Sequence, residues 1–347
     1  MIEFLEQQDH NLSYMGGMLT SWNKFCFTGG LIEVSAQLPG NNHVSGYWPA
    51  VWTMGNLGRA GYGATTDGLW PYSYEACDVG TLANQTLNGQ PDVQGLQLGD
   101  QGNDYDLSFL PGQRLSSCTC PGELHPGPVY SDGTFGARMA PEIDIFEALI
   151  DSNLQGAAVS QSCQFAPFNA YYSWDNATYM ELHEPTKQEI NDFKGNAYQQ
   201  STSVLSTTNQ LCYEKSIAPC YATYGFQYKP GYQSDNAYIT WINDNNLSWT
   251  LQAGGVGADP ISEISARAIP QEPMVNRFMP FIILTTDALQ YIIMNLGMSP
   301  GFSAIDFENL PMPAHMSIDY IRVYQYEDSI NYGCDPPDYP TSNYINR

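Results

Sequence analysis

Basic residues are scarce. Twelve Lys and Arg stand against 36 Asp and Glu in 347 residues, a net charge of -24. That balance excludes phosphate backbones and anionic lipid as natural partners, so no nucleic acid is expected and a neutral substrate fits better. No clean run of 18 apolar residues exists; residues 278–297 come closest, and Pro280 and Asp287 interrupt them. The opening Met1-Ile2-Glu3-Phe4-Leu5-Glu6 has neither a basic start nor an apolar core, so no signal peptide is expected in it. Repeats, low-complexity linkers and CxxC pairs are missing. So are the G-x-S-x-G, P-loop and H-E-x-x-H patterns, and the five His are scattered, which removes the chemistries those motifs carry. Cys118-Thr-Cys120 with His125 lacks a second ligand pair at zinc spacing, so no metal and no cofactor is expected. Helix signals are few. The best is 185–200, PTKQEINDFKGNAYQQ, which is short and polar.

Turn formers and aromatics, by contrast, are plentiful: 31 Gly, 23 Pro and 24 Tyr. Strand-like runs recur between Gly/Pro clusters, at 29–38, 47–55, 139–150, 156–168, 222–228, 236–243, 247–252 and 316–326. In the last, period-2 alternation puts Ile318, Tyr320 and Arg322 on one face and Asp319, Ile321 and Val323 on the other. Long loops at 56–138 carry much Gly, Asn and Asp. The expected fold is all-β, an antiparallel sandwich with long loops decorating one face or end. Eight cysteines and four N-x-[ST] sequons, at Asn11, Asn84, Asn176 and Asn246, point to disulfides and the secretory pathway. Cys212 with Cys220 is the most plausible local pair.

One strand-like run is unusual. MAPEIDIFEALI, residues 139–150, sets Glu142, Asp144 and Glu147 among Ile143, Ile145, Phe146, Leu149 and Ile150. Buried acids are costly unless paired or used. Residues i and i+2 of a strand share a face, so Glu142 and Asp144 point together while Glu147, at i+5, points away. One β-bulge between Asp144 and Glu147 restores all three to one side. Three acids on one side need a cleft rather than a core. Two carboxyls about 5–5.5 Å apart are what a retaining glycosidase uses, one as nucleophile and one as acid/base. Asp144 would hydrogen-bond Glu142 and hold it, and mutual repulsion would keep a proton on Glu147. The bland alternative is a solvated edge strand with ordinary surface acids.

A second constellation lies at 46–78, GYWPAVWTMGNLGRAGYGATTDGLWPYSYEACD. Trp48, Trp52, Trp70, Tyr72 and Tyr74 sit in a Gly-rich frame, and aromatic planes bind the apolar faces of sugar rings. Asn56, Arg59 and Asp67 are placed to bond hydroxyls. Alternatively Trp48 and Trp52, at i and i+4, are core residues; one of the two is expected to be core.

These residues are similar to a known family. EIDIFE resembles the E-x-D-x-x-E signature of glycoside hydrolase family 16. SWNKFCFTGG (21–30), GYWPAVWTMGNLGRAGYGAT (46–65), WPYSYEACDVGTLANQT (70–86), LPGQRLSSCTCPGELHPGP (110–128), VSQSCQFAPFN (159–169) and IDYIRVYQ (318–325) resemble its fungal β-glucan synthesis-associated (KRE/SKN) group. The resemblance implies a concanavalin-like β-jelly roll with a cleft, a retaining mechanism and a role in cell-wall β-glucan, especially the 1,6-linked form. By motif position it makes Glu142 the nucleophile, Asp144 the assisting acid and Glu147 the acid/base, with β-glucan as partner. It also implies a type II membrane protein of the secretory route, exposed on the luminal or cell-surface side. Residues 1–326 would form the catalytic domain and 327–347 a C-terminal tail. The family carries a cytosolic tail, an anchor and further sandwich strands before the segment matching Leu5 onward; the resemblance leads to the expectation that this chain lacks them, which should expose unpaired strand edges. Where the family runs IPQEPM straight into YIIMNLG, residues 275–290 intervene. Val codons begin with GT and Gln can be CAG, so those 16 residues are expected to be a translated intron.

Three functions compete on this reading: a retaining β-glucan hydrolase or transglycosidase, a non-catalytic glucan-binding scaffold, and a lectin-like sandwich without acid chemistry.

Overall fold

Alternating apolar and polar residues favour strands that bury one face and leave the other free for function. In the computed structural model of the protein, the residues described are 1–58, 74, 76–82, 86–92, 140–151, 156–164, 174–193, 201–232, 236–261, 263–270, 292–337 and 340–345, with isolated positions between. Their strands are β1 (Ile2–Phe4), β2 (Gly17–Thr20), β3 (Gly30–Gln37), β4 (Trp48–Met54), β5 (Glu142–Asp151), β6 (Gly156–Gln164), β7 (Met180–Leu182), β8 (Gln188–Ile190), β9 (Thr202–Thr207), β10 (Ala222–Lys229), β11 (Tyr238–Asn243), β12 (Asn246–Gln252), β13 (Ile293–Gly297) and β14 (Ala314–Tyr324).

These strands form two antiparallel sheets of seven, ordered β1-β14-β3-β10-β11-β12-β7 and β2-β13-β4-β5-β6-β9-β8. The expected all-β antiparallel sandwich is therefore what the chain builds. Ile32, Val34, Phe226, Ile239 and Trp241 of the first sheet meet Val51, Ile143, Ile145, Phe146 and Val159 of the second in one core. Each such side chain contributes about 1.5–3 kcal/mol when fully buried. The outermost strands β1, β2, β7 and β8 are only three or four residues long, and short edges give little template for unwanted pairing.

Two local expectations need correction, and one strand was not foreseen. Residues 185–200 contain β8 rather than the start of a helix. Gln188 is buried, and its amide donates to the hydroxyls of Ser206 (3.1 Å) and Ser248 (2.8 Å), so a cross-sheet polar tie overrides local propensity. In β14 the register to β3 shifts between Ile318 and Tyr320, with Ile318 opposite Ala36 and Tyr320 opposite Ser35. That bulge at Asp319 moves Ile318 to the core side with Ile321 and Val323, leaving Tyr320 and Arg322 outside. Finally β9, Thr-Ser-Val-Leu-Ser-Thr, is too polar to stand out, yet it lies between β6 and β8 in the second sheet.

Disulfides join Cys26 to Cys334, Cys77 to Cys118, and Cys212 to Cys220, the last as expected; Cys163 is free and buried. Cys118 is thus a half-cystine and not a metal ligand. The Cys26–Cys334 bridge staples the end of the chain to the body. There the Thr341 N–H donates to Asp335 at 2.6 Å. Residues 275–290 lie outside the described residues. Among the described residues, no helix is long and apolar enough to cross a membrane.

Candidate active site

The acids stand on β5, between β4 and β6. Along β4, Met54 faces Glu142, Trp52 faces Asp144, and Ala50 faces Glu147. These β4 positions are two apart, so they share one side of the sheet. On β5 the same two steps take two residues and then three. The surplus residue is accommodated between Asp144 and Glu147, where the ladder to β6 also breaks, from Asp144 opposite Ser162 to Glu147 opposite Ser160. Ile145 and Phe146 both enter the core, and the acids stay on the opposite side. The bulge required by the parity of the three acids is present.

The surroundings hold protons on these acids. Asp144 is 1% exposed, whereas Glu142 and Glu147 are half-buried. Burial, reinforced by Asp144 and Glu147, raises the Glu142 carboxyl well above the usual range. Burial also pushes Glu147 up to about 8, with Asp144 adding to the rise and the Trp48 indole opposing it. Asp144 rises to about 6 through burial, and its β6 neighbours hold it below its partners. The Ser162 hydroxyl donates to Asp144 Oδ2 at 2.5 Å and the Gln164 amide at 3.5 Å. Like charges packed together titrate as a set, so the cluster keeps at least one proton near neutrality.

The aromatic expectations divide. Trp48 and Trp52 both lie on the acid-bearing side of β4, half-buried and outside the main core; Trp52 packs against a smaller apolar cluster of Cys26, Met54, Leu57, Ala140 and Ile293, so it is the one of the two with a packing role. The Trp48 indole N–H donates to Glu147 Oε1 at 2.8 Å, and its ring stacks on Phe302 with centroids 4.4 Å apart and planes 5° from parallel. The Trp52 indole donates to Asn295 Oδ1 at 2.8 Å. Asn56 departs from its expected role. It is 2% exposed, and its amide donates to Asn23, to the Cys334 carbonyl and to Thr341, so it fastens the C-terminal segment rather than facing a ligand. Tyr74 is buried. Arg59, Asp67, Trp70 and Tyr72 lie outside the described residues, as do Cys120 and His125.

Ser162, Gln164, Asn295 and Phe302 were not foreseen. For the first two a signal existed. Ser160, Ser162 and Gln164 form a polar row at period 2 on the side of β6 that faces the acids, while Gln161, also polar, alternates to the other side. Asn295 and Phe302 come from a distant part of the chain, and no local pattern links them to β5. Among the described residues, no cluster of His, Cys, Asp and Glu is arranged to hold a metal ion.

With this geometry in view, likeness to known proteins can be stated. A family model described as Beta-glucan synthesis-associated protein SKN1/KRE6/Sbg1 matches residues 1–347. The chain is 41% identical over 339 residues to the Beta-glucan synthesis-associated protein KRE6 of Saccharomyces cerevisiae, covering 97% of this chain and 41% of that one. It is 37% identical over 341 residues to the Beta-glucan synthesis-associated protein SKN1 of Candida albicans, covering 98% of this chain and 40% of the relative. The chain thus spans well under half the length of these curated relatives. Among solved structures, it is similar to the catalytic domain of an endo-1,3-beta-glucanase (laminarinase) from Thermotoga petrophila RKU-1. Identity there is 15% and the TM-score 0.44, over 94% of this chain and 77% of that one.

Proposed function

Since the chain belongs to the SKN1/KRE6/Sbg1 family of β-glucan synthesis-associated proteins, we propose that it is a retaining β-glucan-active glycosidase or transglycosidase acting in the biogenesis of cell-wall β-glucan, the 1,6-linked form included. The observation that carries this reading is the bulge at Ile145, which sets Glu142 and Glu147 on one side of β5 with Asp144 between them. Glu142 attacks the anomeric carbon while Glu147 gives its proton to the leaving oxygen. Glu147 then takes a proton from the incoming hydroxyl, and the glycosyl group leaves Glu142 with its original configuration. If the hydroxyl belongs to water the outcome is hydrolysis; if it belongs to a second glucan, transfer. Burial of Glu147 suits it to arrive protonated. Asp144, the acid held lowest of the three, adds negative charge behind the reacting sugar, where an oxocarbenium-like centre develops. A secretory or cell-surface setting accords with the three disulfides.

One observation favours a second reading, a non-catalytic glucan-binding scaffold: burial and like charge oppose ionisation of Glu142, and a nucleophile must be ionised. The Glu142→Gln variant separates the two. On the enzymatic reading, incubation with 1,3- and 1,6-glucan oligosaccharides yields shorter or longer products by mass, and the variant yields none while still binding glucan. Equal product from variant and parent would remove the nucleophile assignment. No product from the parent, with binding intact, would leave the scaffold.

A further inference from the structure

A bulge that turns Glu147 toward the acids must leave ladder carbonyls without strand partners. Here they point into the core, where an unpaired carbonyl costs about 1–3 kcal/mol. Two buried donors meet them. The Trp241 indole N–H donates to the Asp144 carbonyl at 2.8 Å. The Gln161 amide donates to the Ile145 carbonyl at 3.0 Å and also to the Ile242 carbonyl at 3.0 Å. Trp241 and Ile242 are consecutive residues of β11, in the opposite sheet. The bulged peptide is therefore tied across the sandwich twice, once directly and once through Gln161. Both side chains are fully buried.

The surroundings fit a locating role. Gln161 is the β6 residue that falls between the two ladder positions on either side of the bulge. Its side-chain oxygen Oε1 is buried with no hydrogen-bond partner among the described residues. A filler side chain such as Met or Leu would avoid that penalty, so what the amide contributes is its donor. Trp241 is held flat against Trp249, with centroids 4.1 Å apart and planes 3° from parallel, and the β11–β12 register itself shifts at this point. The indole N–H thus has a fixed origin from which to locate the Asp144 carbonyl.

We propose that Trp241 and Gln161 are positioning residues of the acid cluster, holding the bulge so that the Glu142 and Glu147 carboxyls keep their spacing. Their N–H groups bond only backbone carbonyls, and act on the acids through Asp144 and Ile145. A role in turnover rests on the enzymatic reading above; the spacing itself does not.

The test uses the full chain and three donor deletions. Gln161→Met and Trp241→Phe remove the two N–H groups. Replacing Trp241 by benzothienylalanine keeps the bicyclic shape and removes only the N–H, which guards against loss of folding. Gln188→Met is the control, since it cuts a buried amide tie between the same two sheets away from the acids. The readouts are carboxyl titration by carbon NMR of Glu-labelled protein, turnover of glucan oligosaccharides, and melting temperature. All variants should melt lower. The three site variants should also shift the Glu142 and Glu147 titration midpoints by half a pH unit or more. They should lower kcat at least tenfold with KM within about twofold, while the control changes neither. Midpoints and kcat that match the control would overturn the proposal. Should the parent turn over no glucan while the midpoints still move, the enzymatic reading fails and the positioning role stands.

Discussion

Glu147 and Glu214 are both partly buried glutamates, and their surroundings drive them in opposite directions. Burial acts on both. Around Glu147, among the described residues, only the Trp48 indole opposes it, two more acids stand nearby, and the carboxyl rises to about 8. Around Glu214, burial is outweighed by donors from His315, Lys215 and Gly40, and the carboxyl falls to about 2. Glu214 accepts the His315 backbone N–H at 3.0 Å and a His315 ring contact at 2.9 Å, while His315 also reaches Glu3 of β1 at 3.2 Å. One carboxylate is supplied with donors and fastens an edge strand. The other is deprived of them and keeps a proton. The lesson is that donor supply, more than depth, separates a structural acid from a reactive one.

The contrast can be broken most sharply at Glu147. Glu147→Gln should cut turnover of unactivated glucan by about 10²–10⁴-fold, the usual scale of general acid catalysis, read from initial rates at equal folded protein. Glu214→Gln should leave that rate within about twofold. Stability should show the reverse order with pH. A carboxyl raised on folding favours the native state at low pH, and that advantage is lost as pH rises from about 4.5 through about 8. Glu147→Gln should therefore be more stable than the parent at pH 8, by about 1–3 kcal/mol, and the gap should close toward pH 4, measured by denaturant unfolding.

Glu214 carries the opposite sign. Its carboxyl is lowered on folding, so its contribution is present above about pH 4.5 and disappears as pH falls toward about 2. Glu214→Gln should cost about 1–3 kcal/mol at pH 7 and little at pH 2, and should loosen β1, visible as faster amide exchange at Ile2–Phe4. The smallest effect concerns the one donor Glu147 has among the described residues. Trp48→Phe removes it, so the Glu147 midpoint should climb further and the alkaline limb of the rate profile should move up by about half a pH unit, without large loss of stability. An unmoved limb would mean that the Trp48 N–H does not control this proton.

Much of the site was legible because strand parity is simple arithmetic. Glu142, Asp144 and Glu147 cannot share a side without one extra residue, and the bulge follows. The same arithmetic misplaced Ile318, since nothing in Ile-Asp-Tyr-Ile-Arg-Val announces a second bulge at Asp319. Asn56 read as a hydroxyl binder because a Gly-rich aromatic frame surrounds it. Its partners Asn23, Cys334 and Thr341 are distant in the chain, and the last two lie nearly 300 residues away. Trp48 read as a sugar platform or as core. Its bond to Glu147 depends on β4 lying beside β5, which neither segment specifies alone.

From its sequence alone, this chain is committed to a strand-rich fold, to disulfides, and to three acids whose spacing demands a bulge, because alternation and composition act locally. Only the assembled sandwich decides which acid is raised and which lowered, and what meets the bulge carbonyls. Those outcomes depend on donors delivered from the opposite sheet and from remote loops. Desolvation and hydrogen bonding are properties of the packed neighbourhood, not of the residue type.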